Sequence, residues 1–530
     1  VMSGLGKGIF ASSVAKLIQD KGLRVSPIKL EGYLNVDSGT LNPYRHGEVF
    51  VLDDGMETDM DLGTYERVLN QNLSRLNFTT SGQIFTSVLD KERRGRYQGR
   101  DVQMIPHVTG EVKLRLRELA LASKADVVFV EIGGTVGDVE HAFYIEAVRE
   151  LALEEGPQST CFVALTYILE PQSLGEQKSK AAQLGLRSLM GLGVQPQIVA
   201  CRAASPVTET VRQKISVYAN VPLERVFSMH DCESIYYVPE MVRKSKIDFE
   251  VVKVLGLQER VDLDNDRSAW GKWCDFTKRM HEPKREVRIA ITGKYITVRD
   301  SYASILKALE HCGAMLQAKL TLNWIDTTEV NDQNVAEKLQ GIHGIIVPGG
   351  FGVRGTEGKI ACVKYAREHR VPYLGLCYGF QMAVIEYARN ICGLAGANST
   401  EVDPNTPHPV IDRLPNQTGL KGLGGTMRLG GHDVELIPRT LAAALYGNQP
   451  SARLRFRHRY EVHPDYIDQL KQKGLVFSGK APGEPIMQIL ELPDHPFFMG
   501  TQAHPEFTSR PLRPDPMFCA FSKAALEHAG

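Results

Sequence analysis

Residues 371–390, VPYLGLCYGFQMAVIEYARN, read as three pieces. A short apolar run ending at Leu376 has strand character, a tight turn carries Cys377, and helical periodicity begins at Tyr378. Gly375 and Gly379 flank the cysteine at spacing two, which lets strand and helix approach closely around an exposed side chain. A thiol at such a turn also sits at a helix N-terminus, where unpaired N–H groups favour its anion. A strand running straight into a helix is the building unit of a parallel α/β sheet. Cys377 is its candidate nucleophile.

A cysteine nucleophile needs a base and a group that orients the base. GTQAHPEF, 500–507, offers His504 and Glu506 two residues apart, on the same side of an extended backbone. VPGGFGVRG, 347–355, follows another strand and supplies Gly349 and Gly350, whose backbone can approach a developing oxyanion. Alone, Cys377 would be a strand-end cysteine and His504 a loop histidine. Elbow, base and orienting acid together read as a catalytic site.

The same strand–helix alternation runs through the chain. Upstream, LRVSPIKL, ADVVFVEIGG, STCFVALTYI and PQIVACR read as buried strands; downstream, VRIAITGKY, LTLNWIDT and GIIVPGG do. Between them QERVDLDNDRSAWGKWCDFTKRMHEPKRE, 258–286, is charged and poor in strand character, so it reads as a partly helical linker. The expected organisation is a first α/β domain over 1–257, the linker over 258–286 and a second α/β domain over 287–530. At 530 residues, 43% hydrophobic and 23% charged, the chain is long enough for two such cores. Its 62 basic and 62 acidic residues cancel, which argues against a nucleic-acid partner. Nine scattered cysteines without metal-ligand spacing fit reduced thiols in a cytoplasmic protein, and no apolar run suits a membrane span.

The first half carries phosphate chemistry. SGLGKGI, 3–9, can cradle phosphates with backbone N–H groups and Lys7. Asp59 and Asp61 in GMETDMDLG, and Glu131 in VFVEIGGTVGDVE, offer carboxylates from separate segments, as Mg²⁺ needs beside a triphosphate. Lys178 and Lys180 in GEQKSKAAQ suit a second phosphate group. Each alone is a loop or a solvated face; the set is more specific.

Around Cys377, His504 and Glu506 the chain resembles the class I glutamine amidotransferases. Over nearly its whole length it resembles the CTP synthase family, in SGLGKGI, YLNVDSGT, HGEVFVLDDG, ETDMDLG, EIGGTVGDVE, GEQKSK, PGGFGVRGTEGK, HRYEV and HPEF. The resemblance implies a P-loop-type amidoligase domain with a parallel sheet, followed by the amidotransferase α/β domain. It implies ATP-dependent amination of UTP to CTP with ammonia from glutamine, through phosphorylation at uracil O4. By position it assigns Cys377, His504, Glu506 and Lys7 to catalysis, and Gly4, Leu5, Gly6, Lys7, Gly8, Ile9 and Asp61 to ATP. Asp61 and Glu131 fall to Mg²⁺. UTP and CTP take Ser3, Asp138, Val139, Glu140, Lys178, Ser179, Lys180, Ala181, Ala182, Gln183 and Lys214. Glutamine takes Gly350, Tyr378, Gly379, Phe380, Gln381, Glu401 and Arg459. GTP is implied as activator, with Arg354 the candidate coupling residue, CTP as inhibitor, and a homotetramer that can stack into filaments as the assembly. The family has a strand and two glycines ahead of its phosphate loop, so Val1 is expected not to be the natural start.

The chain also departs from the family pattern. Glu31-Gly32 stands where the family reads Asp-Pro, His141 where serine is usual, and Tyr378 where leucine is usual. KSKAAQLG loses a proline and a hydroxyl, Ala503 replaces an aromatic and His463 an asparagine. These changes gather near the pyrimidine-nucleotide residues. The alternatives are another ATP-dependent glutamine amidoligase, or a filament-forming homologue with impaired catalysis; the first would lack GTVGDVE and GEQKSK, the second Cys377, Lys7 or Glu131.

Overall fold

The computed structural model describes residues 4–171, 175–294, 298–413 and 425–530. They form two compact units: residues 1–36 with 64–274, and residues 37–63 with 275–530. Ser3 lies outside the described residues.

In the first unit, helix α1 (Lys7–Asp20) leads into strand β1 (Val25–Glu31). β1 pairs in parallel with β2 (Phe78–Thr80) and with β3 (Val127–Ile132). A second parallel sheet joins β4 (Val163–Tyr167), β5 (Ile198–Ala203) and β6 (Val226–His230), with helix α2 (Lys180–Gly191) between β4 and β5. The expected parallel strands are therefore split into two three-stranded sheets. Strands β3 and β4 line a common cavity of about 690 Å³ that continues to Leu5, Lys7 and Glu131. The linker stretch contains a 19-residue helix, α3 (Leu263–His281), with Asp264 and Asp266 in its first turn and Lys278, Arg279 and His281 in its last. That charge order complements the helix dipole.

The second unit is built on one nine-stranded sheet. Its strands are β7 (Arg285–Gly293), β8 (Ala318–Asp326), β9 (Gly344–Val347), β10 (Tyr373–Leu376), β11 (Arg428–Leu436), β12 (Ser451–His458), β13 (Val476–Lys480), β14 (Met487–Glu491) and β15 (Phe498–Thr501). They lie in the order β8-β7-β9-β10-β15-β14-β13-β11-β12. The five strands from β8 to β15 are parallel to their neighbours, and every pair beyond β15 is antiparallel. Helices α4 (Ala303–Leu316) and α7 (Pro516–His528) share one apolar cluster with the sheet, and α5 (Thr356–Glu368) and α6 (Tyr378–Asn390) another. Such two-sided cover makes the strand interiors uniformly apolar. Helix α6 is buried from Tyr378 to Ala388, which accounts for its lack of a polar face.

Residues 37–63 complete this unit. Phe50, Val51 and Leu52 are fully buried, and the Phe50 and Phe507 rings lie 4.9 Å apart. Arg455 donates to the Val51 carbonyl at 3.1 Å, Arg457 to Glu57 at 2.7 Å and Arg453 to Asp53 at 2.8 Å. Backbones meet directly where Gly430, at φ +84°, passes Gly55: a Cβ there would lie 2.5 Å from the Gly55 nitrogen. Among the described residues no helix is long and apolar enough to cross a membrane.

Candidate active sites in the two units

Three loops converge where β9, β10 and β15 end side by side. Leu376 is in register with Thr501, and Val347 with Gly375, so the segments after all three strands emerge at one edge of the sheet. Carboxyl ends of parallel strands are where open α/β sheets bind ligands. Cys377 occupies the turn with φ +49° and ψ −97°, a conformation costly for a side-chain-bearing residue. Its N–H donates to the Thr501 carbonyl at 2.7 Å, which helps to hold the turn. Both flanking glycines are required by space. A Cβ on Gly379 would lie 2.1 Å from the Val347 carbonyl oxygen, and one on Gly375 would lie 2.5 Å from the Tyr373 hydroxyl. That hydroxyl donates to the Gly379 carbonyl at 2.8 Å, tying strand to helix across the elbow.

His504 and Glu506 are both buried, with imidazole Nδ1 2.8 Å from Glu506 Oε1. The imidazole stacks on Phe507, centroids 4.9 Å apart, so its plane is fixed. A Cβ on Gly349 would touch both His504 and Cys377, which places the two side chains around one glycine. Burial alone would strip the proton from His504. The negative charge of Glu506 and the neighbouring Cys377 outweigh it and raise the imidazolium pKa to about 10. The site thus holds a proton donor beside the elbow cysteine.

Two groups that touch this centre are absent from the sequence reading. Gln502 donates to Cys377 Sγ at 3.6 Å and accepts from Gln381 at 3.3 Å. It lies two residues before His504, but the extended run expected there stops at Thr501: His504 caps a 3-10 turn, Pro505–Phe507, and that turn carries Glu506 onto the imidazole. Lys359, in α5, is 2% exposed; its ammonium donates to the Pro348 carbonyl at 3.3 Å and lies 5.2 Å from the Tyr378 ring centroid. Burial, helped by Lys294, lowers its pKa to about 7.

The glutamine-site residues gather here in part. Tyr378 and Phe380 are buried at the start of α6. Gln381 donates to the Tyr460 carbonyl at 3.0 Å. Glu401 accepts the Gly352 N–H at 2.9 Å, and burial raises its pKa. Gly350 faces Lys359 and Tyr378, while Arg459 follows the end of β12 and is half-buried. Arg354 is exposed in the turn between Gly352 and Gly355, both in the left-handed region.

In the first unit the loop residues Gly4 and Gly6 take φ of +71° and +82°, which only glycine adopts freely. Among the described residues no acid stands in the first turn of α1, which Gly6 caps, and a helix N-terminus of this kind suits an anion. Behind the loop, the buried pairs Lys16–Asp20 and Lys21–Asp248 anchor the helix. Lys7 donates to the Gly134 carbonyl at 2.9 Å. Glu131 is buried at the end of β3 and accepts from Lys29 at 2.8 Å and Tyr65 at 2.9 Å. Asp61 belongs to the 37–63 segment of the second unit.

The pyrimidine-site residues lie on two surfaces of the first unit. Asp138 accepts the Thr135 N–H at 2.9 Å, and Val139, 85% exposed, and Glu140 stand in open solvent. Lys178 pairs with Glu176, whose carboxyl is held low first by Lys178 and further by Lys214. Ser179 precedes α2 and bonds Gln183 at 3.2 Å; Lys180 is exposed, Ala181 half-buried and Ala182 buried. No described hydrogen bond links the Asp138–Glu140 turn to the lysines.

Known proteins place the whole chain. Residues 1–257 match the family model for the CTP synthase N-terminus, and 297–524 that for class-I glutamine amidotransferase. A CTP synthase of Thermococcus gammatolerans is 49% identical over 99% of this chain and 97% of its own. The chain belongs to the CTP synthase family. A CTP synthase of Thermus thermophilus is 46% identical over 100% of this chain and 96% of its own. Among solved structures, the acivicin-bound glutaminase domain of Trypanosoma brucei CTPS is 36% identical, over 46% of this chain and 94% of that one, with a TM-score of 0.43.

Against the CTP synthase pattern, two departures acquire a physical account. The Tyr378 hydroxyl, absent from the family's usual leucine, donates to the Gly352 carbonyl at 2.9 Å and meets Thr356 at 2.8 Å. It fastens the glycine loop beside the nucleophile. His141, in place of serine, is buried against Gly134 and against Gly32, which replaces proline.

Proposed function

We propose that this chain makes CTP from UTP, ATP and glutamine, with glutamine hydrolysis in the second unit and amination in the first. The observation that carries the first step is the charged His504–Glu506 pair beside the elbow cysteine. Cys377 Sγ attacks the glutamine carboxamide carbon. The N–H groups of Gly350 and Tyr378 receive the oxyanion, and His504 hands a proton to the departing ammonia. The same histidine, now neutral, takes a proton from water, which hydrolyses the thioester to glutamate. Gly379, Phe380, Gln381, Glu401 and Arg459 bind and orient the amino acid.

In the first unit the Gly4–Ile9 loop and Lys7 hold the ATP phosphates. The γ-phosphoryl group passes to uracil O4, giving ADP and a phosphorylated pyrimidine. Ammonia attacks C4 and expels phosphate, giving CTP. Glu131 would hold Mg²⁺, and Asp61 is the second carboxylate that the family resemblance assigns to the ion. When bound, the ion offsets charge on the transferring phosphoryl group.

Asp138, Val139, Glu140, Ser179 to Gln183, Lys178 and Lys214 bind UTP as substrate and CTP as inhibitor, with Ser3 included. The exposure of Asp138, Val139, Glu140, Lys180 and Lys214 supports a site completed by another subunit of a homotetramer, which can stack into filaments. GTP activates glutamine hydrolysis through Arg354, and the enzyme works in the cytoplasm. The test is CTP formation from UTP and ATP, with glutamine and with ammonium salts as nitrogen source. Glutamine hydrolysis without CTP from either source would assign the first unit to another acceptor.

A further inference from the structure

Two cysteines far from the elbow meet inside the second unit. Cys312 lies in α4 and Cys519 in α7, 207 residues apart in sequence, and their sulfurs are 3.2 Å apart. Both are free thiols; Cys312 is fully buried, and Cys519 is half-buried.

The contact is held from both sides. His311, beside Cys312, bonds Ser509 Oγ at 2.9 Å, and the same oxygen accepts the Asp515 N–H at 3.2 Å. Asp515 caps α7 by accepting from Met517 and Phe518 at 2.9 and 3.2 Å. At the far end of α7, the Leu526 carbonyl accepts from Arg285 at 3.1 Å. Sliding α4 past the segment that leads into α7 would break the His311–Ser509 bond, next to Cys312 in sequence. A disulfide is about 2.05 Å long, so bonding needs the sulfurs to close by roughly 1 Å.

We propose that Cys312 and Cys519 form a dithiol–disulfide pair, a redox modification site that takes low-molecular-weight disulfides as oxidant. Cys519, with its partial exposure, is the entry point. Its thiolate attacks one sulfur of the small disulfide, breaking that S–S bond, forming a mixed disulfide and expelling one thiolate. Cys312 then loses its proton and attacks Cys519 Sγ, which expels the second thiolate. Two protein S–H bonds become one S–S bond, and the two electrons reduce the small disulfide to two thiols. Burial and the neighbouring Cys519 push the Cys312 thiol pKa up, which leaves the more exposed Cys519 to react first.

The test treats the folded chain with oxidised glutathione, blocks remaining thiols under denaturing conditions and maps the peptides. Exposed Cys232 is the internal control for oxidant strength. The expected result is a peptide linking Cys312 to Cys519, lost on reduction and absent from Cys519→Ser and Cys312→Ser proteins. A stable glutathione adduct on Cys519 with Cys312 still free would overturn the proposal. So would two unmodified thiols when Cys232 has reacted, and the unsubstituted protein alone decides both outcomes.

Discussion

The ring of His141 occupies the space that a side chain at position 32 would need. A Cβ on Gly32 would lie 2.4 Å from His141 Nε2, and one on Gly134 would lie 2.2 Å from Cε1. Among the described residues His141 Nδ1 is buried with no hydrogen-bond partner, and burial lowers the imidazole pKa. Glycine at 32 and histidine at 141 are thus one change written at two positions. Gly32→Ala should cost about 1–3 kcal/mol, as overpacking does. Adding His141→Ser should recover most of it. Denaturant unfolding of the four proteins gives the coupling energy, and a value near zero would make the two sites independent.

Replacing Cys377 separates the two reactions. Cys377→Ala should lower glutamine-dependent CTP synthesis by about 10⁴-fold or more, as loss of a nucleophile does in other enzymes. Synthesis from ammonium salts should persist, because only the nitrogen source is lost. An equal fall with both nitrogen sources in a folded protein would end the division of labour between the units.

The His504 pKa is raised to about 10, so its favourable charge interaction is fully present below the unfolded value near 6.5 and fades as pH rises through 10. Glu506→Gln removes a charge that holds the proton. The alkaline limb of glutamine hydrolysis should then move down by about 1–2 pH units. kcat/KM against pH reads this directly, and an unmoved limb would show that Glu506 does not hold the imidazolium.

Lys359 has the opposite sign. Its pKa of about 7, against an unfolded value near 10.4, means the folded state sheds its proton first. The cost of burying the charge is greatest below pH 7 and is relieved as pH rises from 7 towards 10. Lys359→Met removes that slope. The stability of the unsubstituted protein minus that of the variant should climb across this window, and a flat difference would place a charged lysine in the core.

Tyr378→Phe should loosen the glycine loop rather than the chemistry. The Gly352 carbonyl and the buried Thr356 hydroxyl both lose the phenol. The glutamine KM should rise by about fivefold to tenfold, the equivalent of about 1–1.4 kcal/mol. Ammonia-dependent synthesis should stay within twofold, about 0.4 kcal/mol, and a larger loss would tie this hydroxyl to the first unit.

Much of the second site was legible because its chemistry is local. Gly375, Cys377 and Gly379 announce an elbow within five residues, and His504 with Glu506 a base–acid pair, though a 3-10 turn rather than an extended backbone joins them. The antiparallel half of the sheet was not legible: β11 reads RLGGHDVEL, where Gly430 and Gly431 interrupt the alternation and mark close passage of residues 53–55. Lys359 was missed because composition assigns lysine to solvent, and only the packing of α5 against α6 buries it. The tie between His141 and Gly32 joins residues more than a hundred positions apart, a distance no spacing rule crosses.

The early segment 37–63 also sets an order of assembly. Arg457 and Arg453, the partners of Glu57 and Asp53, are each 400 residues later in the chain. At translation rates of 5–20 residues per second, that is a wait of roughly 20–80 s. Through that interval Phe50, Val51 and Leu52 have no finished surface to enter. The nascent chain must keep this loop covered or unaggregated until β12 leaves the ribosome. A protein begun at residue 287 would meet the converse difficulty: Arg455, 1% exposed in the whole chain, would lose the Val51 carbonyl, and Phe507 would lose the Phe50 ring.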